Sequence, residues 1–207
     1  MDWSQTWLSV ANTALVRINK QPLQTLDDVS SSALLCNQMI PGCVMNILNL
    51  NDWHSARKRV LLAPLMDKPP FGFSHSFQMP SDFVRLVEVC SKLPWKREGN
   101  TVLSDEDTLP VIYIAYPSAP TELDPLLLDA ITTQLAAQLA VSLTADSSLV
   151  SLLYQEAEIK IQKAKLQEDA GEPDERPDFR SWTKAFNYEA NTASELELLR
   201  EMQRERS

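Results

Sequence analysis

Apolar residues recur at spacings of three and four along the first quarter of the chain. In "DWSQTWLSVANTALVRIN", Trp3, Trp7, Val10, Ala14 and Ile18 fall on one side of a helix, which Asn19 and Pro22 close. A second run after "TLDD" sets Val29, Ala33, Ile40, Val44, Ile47 and Leu48 roughly in phase, with Pro41-Gly42 in its middle. Proline removes an intrahelical hydrogen bond and crowds the preceding turn, so the pattern predicts a kink or break near Ile40.

From about Trp53 to Tyr116 the period shortens to two. "FGFSHSFQ" alternates Phe71, Phe73, His75 and Phe77 with small or polar residues, the pattern of a half-buried strand. "FVRLVEVC" and "LPVIYIAY" are β-branched runs of strand length, and "REGNTVL" between them offers Gly99-Asn100 as a turn. These segments predict a small, mostly antiparallel sheet.

Helix returns after "APTELDP". Asp124 suits an N-cap and Pro125 the first helical position; Leu127, Ile131, Leu135, Leu139 and Leu143 follow at every fourth residue. Ala130, Ala136, Ala137 and Ala140 fill the other faces with small side chains, so this helix is expected at the centre of the fold. The next, from about Ser148 to Asp169, carries Leu152, Ile159 and Leu166 at heptad spacing and a Glu156/Lys160 pair, and stops at Gly171 and Pro173.

Beyond that stop, "FRSWTKAFNYEA" places Phe179, Trp182, Phe186 and Tyr188 where little remains to bury them. Ser194 with Glu197 forms a capping-box pattern ahead of a narrow apolar edge, Leu196, Leu199 and Met202. One short amphipathic helix does not hold itself in water. These seven apolar residues are therefore the candidate interface, an arm expected to dock on another chain, the alternative being that its aromatic rings fold back onto their own subunit.

The pattern thus predicts an α+β fold, mainly α. A bundle of about four helices carries a small antiparallel β region between helices two and three, with a C-terminal extended arm bearing a short helix. The expected segments are 1–52 (N-terminal helices), 53–120 (β-rich insertion), 121–171 (C-terminal helices) and 172–207 (docking arm).

Composition changes this picture little. The 207 residues are 44% hydrophobic and 23% charged, ordinary for a globular domain, and Met1 leads into an acidic, polar start unlike a signal peptide. Charge matters more. Residues 1–120 carry 10 Lys/Arg against 11 Asp/Glu, whereas 121–207 carry 9 against 17, so nearly all of the net −9 lies in the second part. Such a surface disfavours a protein that grips nucleic acid, but not one that nucleic acid must pass without sticking.

Candidate chemistry is thin. Cys36, Cys43 and Cys90 form no CxxC pair and have no histidine at zinc-ligand spacing. On one helix Cys36 and Cys43 stand roughly 10 Å apart, beyond disulfide reach, so all three read as buried thiols. His54 lies near Asp52, and His75 sits on the Phe-rich strand; there is no GxSxG elbow and no glycine-rich phosphate cradle. "DEDT", with Asp105 and Asp107, reads as a solvated loop. The basic triplet Arg57, Lys58, Arg59 would split between two faces of a strand and reads first as a set of ion pairs with local acids. No catalytic residue, metal site or cofactor is expected.

Four segments in order carry a resemblance: "ANTALVRINKQPLQTLDD", "NDWHSARKRVLLAP", "FSHSFQMPSDFVRLVEV" and "LPVIYIAYPSAPTELDPLLLDAITTQLAAQLAVSLTAD". Together they resemble the head-to-tail adaptor of short-tailed bacteriophages, the tail tubular protein A family, and more distantly the tail accessory factor that seals the portal. The resemblance spans about residues 11–170; Pro41-Gly42, the "DEDT" loop and the tail from Glu172 onward depart from it. It implies a structural virion protein of the neck, made in the bacterial cytoplasm. Such adaptors form a homo-oligomeric ring, usually of twelve copies, beneath the portal protein. The ring extends the DNA channel, supports the tail nozzle protein, and lets double-stranded DNA pass during ejection without specific binding; no membrane and no enzymatic activity are implied. The competing expectations are a cell-wall-degrading enzyme acting at entry, using His54, His75, Asp105 and Asp107, and a nucleic-acid-binding regulator using Arg57 to Arg59.

Overall fold

The computed structural model of the protein describes residues 6–171. The first helix, α1 (Trp7–Arg17), starts at a capping box in which the Thr6 and Ser9 side chains each accept from the other's backbone N–H. It ends because Asn19 takes a positive φ of 57°. That turn lets Lys20 N–H donate to the Leu15 carbonyl (2.9 Å) and Asn19 N–H to that of Val16 (3.1 Å), closing the last turn. Trp3, at the head of the predicted stripe, lies outside the described residues.

The second helix, α2 (Ser31–Leu48), runs without a break through Pro41. The break expected near Ile40 is not there. Pro41, Gly42 and Asn37 are all exposed, so the Asn37 carbonyl that loses its amide partner faces water. Ala33, Cys36, Ile40, Cys43, Val44 and Ile47 hold the other side of the helix in the core.

Six strands follow: β1 (Arg57–Leu62), β2 (His75–Gln78), β3 (Phe83–Val89), β4 (Trp95–Glu98), β5 (Thr101–Ser104) and β6 (Leu109–Ala115). They form not one sheet but two antiparallel three-stranded ones, ordered β1-β6-β3 and β2-β5-β4. The β4–β5 hairpin turns at Gly99, with φ 59°, as its sequence requires. Of the strand predicted over "FGFSHSFQ" only His75–Gln78 forms, and its alternation fails because Ser76 is buried beside Phe77. Gly72 turns the chain with φ 89°, and Phe71 is 86% exposed.

The strand β6 explains its own sequence. Val111, Tyr113 and Ala115 enter a core shared with Phe77 and Val102 of the second sheet and with Met79 just beyond β2, while Ile114 enters the helical core. A strand buried on both faces needs a near-continuous apolar run rather than alternation.

The last two helices are α3 (Pro125–Leu143) and α4 (Ser147–Gly171). Asp124 caps α3 as expected, accepting from Leu126 N–H (2.9 Å). Length and apolar composition alone would let α3 cross a membrane; here it is the hub against which the other helices pack, buried at Leu127, Ala130, Ile131, Leu135, Ala136 and Leu139. On α4 the buried positions are Leu153, Ala157, Ile161 and Ala164. The heptad positions Leu152, Ile159 and Leu166 point the other way, 60%, 68% and 70% exposed. Helices and sheets up to Asp169 form one compact unit. The α+β, mainly α class and the β region between helices two and three are as the sequence predicts.

Candidate functional site

The residues considered for catalysis do not converge. His54, in a short 3-10 turn before β1, pairs through Nδ1 with Glu168 Oε2 at 2.5 Å, and its backbone N–H reaches the same oxygen at 3.2 Å. The contact ties the segment after α2 to the last turns of α4. His75 lies on β2 opposite Ser104, edge-on to Phe77 with centroids 6.3 Å apart, its Nδ1 buried without a hydrogen-bond partner. Asp105 accepts from Ser74 N–H at 2.7 Å, and bonding to the Ser74 side chain first and to this N–H second holds its carboxyl below the usual range. Asp107 is exposed. Among the described residues no group of three or more His, Cys, Asp or Glu could hold a metal ion.

The basic triplet is engaged within the chain. Arg57 grips Asp52 with two bonds of 3.1 and 2.7 Å, and Lys58 meets Asp82 at 2.8 Å; Arg59 is exposed. Burial pushes Asp82 up, but bonds from Lys58 and the Tyr113 hydroxyl outweigh it and leave the carboxyl below its ordinary value. The same pair pushes Tyr113 up to about 12, through burial first and the bond to Asp82 second. This is the ion-pair pattern the sequence suggests for Arg57 and Lys58; Lys58 and Arg59 are both exposed.

A second polar knot clamps three helices together. Arg17 of α1 reaches Asp129 and Thr133 of α3 and Glu156 of α4, while Lys160 meets Asp129, Thr133 and Glu156. The bond from Lys160 holds the Glu156 carboxyl below its ordinary range against the opposing pull of burial, and Arg17 adds to it. The knot is structural.

The thiols are structural too. Cys36 and Cys43 are buried on the inner side of α2, and Cys43 donates to the Ile131 carbonyl at 3.6 Å. Burial raises all three thiols, Cys43 to about 12.

What remains is apolar surface; exposed side chains are spread widely, Val16, Val29, Leu61, Trp95 and Val141 among them, and they gather on one loop and two helix faces. The loop 63–74 between β1 and β2 is pinned by Leu65 N–H to the Ser76 carbonyl and by the Ser76 hydroxyl to the Asp67 carbonyl; beyond these pins it exposes Met66 completely and Phe71 by 86%. The outer side of α2 carries Leu34, Pro41 and Met45. The outer side of α4 carries Leu152, Ile159 and Leu166. Heptad spacing marks the α4 stripe in the sequence, but only the structure shows that it faces out. The arm residues Phe179, Trp182, Phe186, Tyr188, Leu196, Leu199 and Met202, the candidate interface of the sequence, lie outside the described residues.

No protein-family model matches the chain, and no curated protein matches it.

Proposed function

We propose that the chain is a structural assembly protein, a head-to-tail adaptor that forms a ring of like subunits beneath a phage portal and carries the tail nozzle. The observation that carries this role is the spread of exposed apolar side chains over three separate surfaces of one unit, the α2 face, the α4 face and the 63–74 loop. A subunit that touches neighbours on two sides and a further component beyond needs several such surfaces; patches of this kind mark protein contacts. The resemblance of residues 11–170 to adaptors supports the same role, as does the acidic second part of the chain, which duplex DNA would pass without being held.

Electron microscopy of the purified protein, alone and mixed with a cognate portal ring, tests this role. Rings of the protein, or a layer of it seated on the portal, are expected. A stable isolated dimer with no affinity for the portal would overturn it.

A further inference from the structure

Across its 18 residues α2 contains no charged side chain, although half of the helix faces water. Its outer row, Leu34, Gln38, Pro41 and Met45, is neutral throughout, and at its centre stand the two residues least suited to a helix, Pro41 and Gly42. A Cβ at Gly42 would meet nothing within 4 Å. The glycine is therefore not required by packing inside the subunit; it leaves a notch open to the outside.

The outer row of α4 is neutral as well: Leu152, Gln155, Ile159, Gln162 and Leu166, all exposed. Gln155, Ile159, Gln162 and Leu166 follow the four-three-four spacing of Leu34, Gln38, Pro41 and Met45. Rows of equal spacing can lie side by side with their ridges and gaps in step. Neither row itself carries a charge, although Gln162 Nε2–H donates to the flanking Glu158 carboxylate at 2.8 Å, so sealing them costs less than sealing a charged helix exterior.

The placement of the two helices decides what kind of contact this is. Cys43 of α2 meets α3 at Ile131, whereas α4 meets α3 at Asp129 and Thr133 through Lys160, roughly half a turn around the α3 axis. Trp53 Nε1–H donates to the Ile47 carbonyl and His54 N–H to Glu168, so the C-terminal ends of α2 and α4 lie at the same end of the fold. The two helices thus run in one direction on different flanks of α3. Rotation about an axis along the helices keeps that direction, so α4 of one copy meets α2 of the next in parallel. Because the two surfaces differ, the contact repeats head to tail and does not close as a pair.

We propose that the outer face of α4 in one copy packs in parallel on the outer face of α2 in a second copy, with the Gly42 notch at the point of closest approach. The axis along the helices, and with it the parallel orientation and the closure of the series into a ring, rests on the adaptor role above; the neutrality of the two faces does not.

Cysteine trapping on the full chain tests it. In a Cys90→Ser background, the double variant Met45→Cys/Leu166→Cys is oxidised at high protein concentration and run on a non-reducing denaturing gel. A ladder of trimers and longer species is expected, with none from either single variant. Dimers from Leu166→Cys alone would reveal a symmetric α4 pairing and overturn the proposal; so would the absence of a ladder from the double variant. Gly42→Trp added to the double variant should weaken the ladder at least tenfold while the circular dichroism spectrum is unchanged, and an undiminished ladder would also overturn it. Rings on the portal without the 45–166 cross-link would refute this contact and leave the adaptor role standing. A ladder whose species never form rings would do the reverse.

Discussion

Replacing Gly42 by alanine adds one methyl group to the outer side of α2. No heavy atom lies within 4 Å of where it would go, and Gly42 is not among the positive-φ glycines, Gly72 and Gly99. The steric cost is therefore absent and helix propensity alone sets the sign. Glycine in a helix interior is about 0.8–1.0 kcal/mol less favourable than alanine, partly through the freedom it retains when unfolded. The variant should gain about that much, which for a chain of this size raises Tm by roughly 2–4 °C. Urea unfolding followed by circular dichroism, at a dilution that keeps the protein monomeric, reads the change as a higher midpoint at unchanged slope. Unchanged or reduced stability would refute the reasoning: the backbone at residue 42 would not be helical, and α2 would break at Pro41 as its sequence pattern alone suggests.

Three further outcomes are expected. Trp53 is fully buried and its indole N–H meets the Ile47 carbonyl at 3.0 Å, so Trp53→Ala should cost about 3–5 kcal/mol in urea unfolding; Trp53→Phe, which keeps most of the volume, should cost much less. Glu156 is held below its ordinary 4.5 chiefly by Lys160 and also by Arg17, so its stabilising effect is complete above about that pH and fades as acid takes pH through the lowered folded value. Glu156→Gln should accordingly flatten the decline of Tm below about pH 4.5, and an unchanged profile would show that the knot contributes nothing there. With Cys36 and Cys43 buried and raised, a thiol reagent at mildly alkaline pH should modify Cys90 first in the native protein and reach the other two only in denaturant; mass spectrometry of the labelled peptides checks the order.

Features set by neighbouring residues were legible in the sequence. Asp124-Pro125 caps α3, Gly99 turns the hairpin and Asn19 ends α1, each through contacts within a few residues. Features that depend on distant partners were not. Whether six strands make one sheet or two is decided by pairings such as Arg57 with Ile114, which no local pattern encodes. The two rows of α4 are both apolar; alanines at 157 and 164 give the inner row less bulk than Leu152, Ile159 and Leu166 give the outer, so size points to the wrong side. The missing charge on α2 is visible in the sequence, but it acquires meaning only once that side is known to face water.

The position of β6 and α3 in the chain has a kinetic consequence. The first sheet has its last strand, β6, in the middle, between β1 and β3, and α3, the hub for α1 and α2, begins only at Pro125. During synthesis α1, α2 and β1 leave the ribosome with apolar sides uncovered, since the surfaces that cover them are not yet made. The β4–β5 hairpin, closed by a two-residue turn, is the one piece of sheet that can form at once. The β2–β5 and β3–β6 pairings close shorter loops, such as Val89 with Val111, but β1 with β6 and α1 and α2 with α3 wait for partners much further along the chain, Arg57 for Ile114 and Cys43 for Ile131, which slows folding and prolongs exposure to aggregation. The chain is made in the reverse of the order in which its core can close.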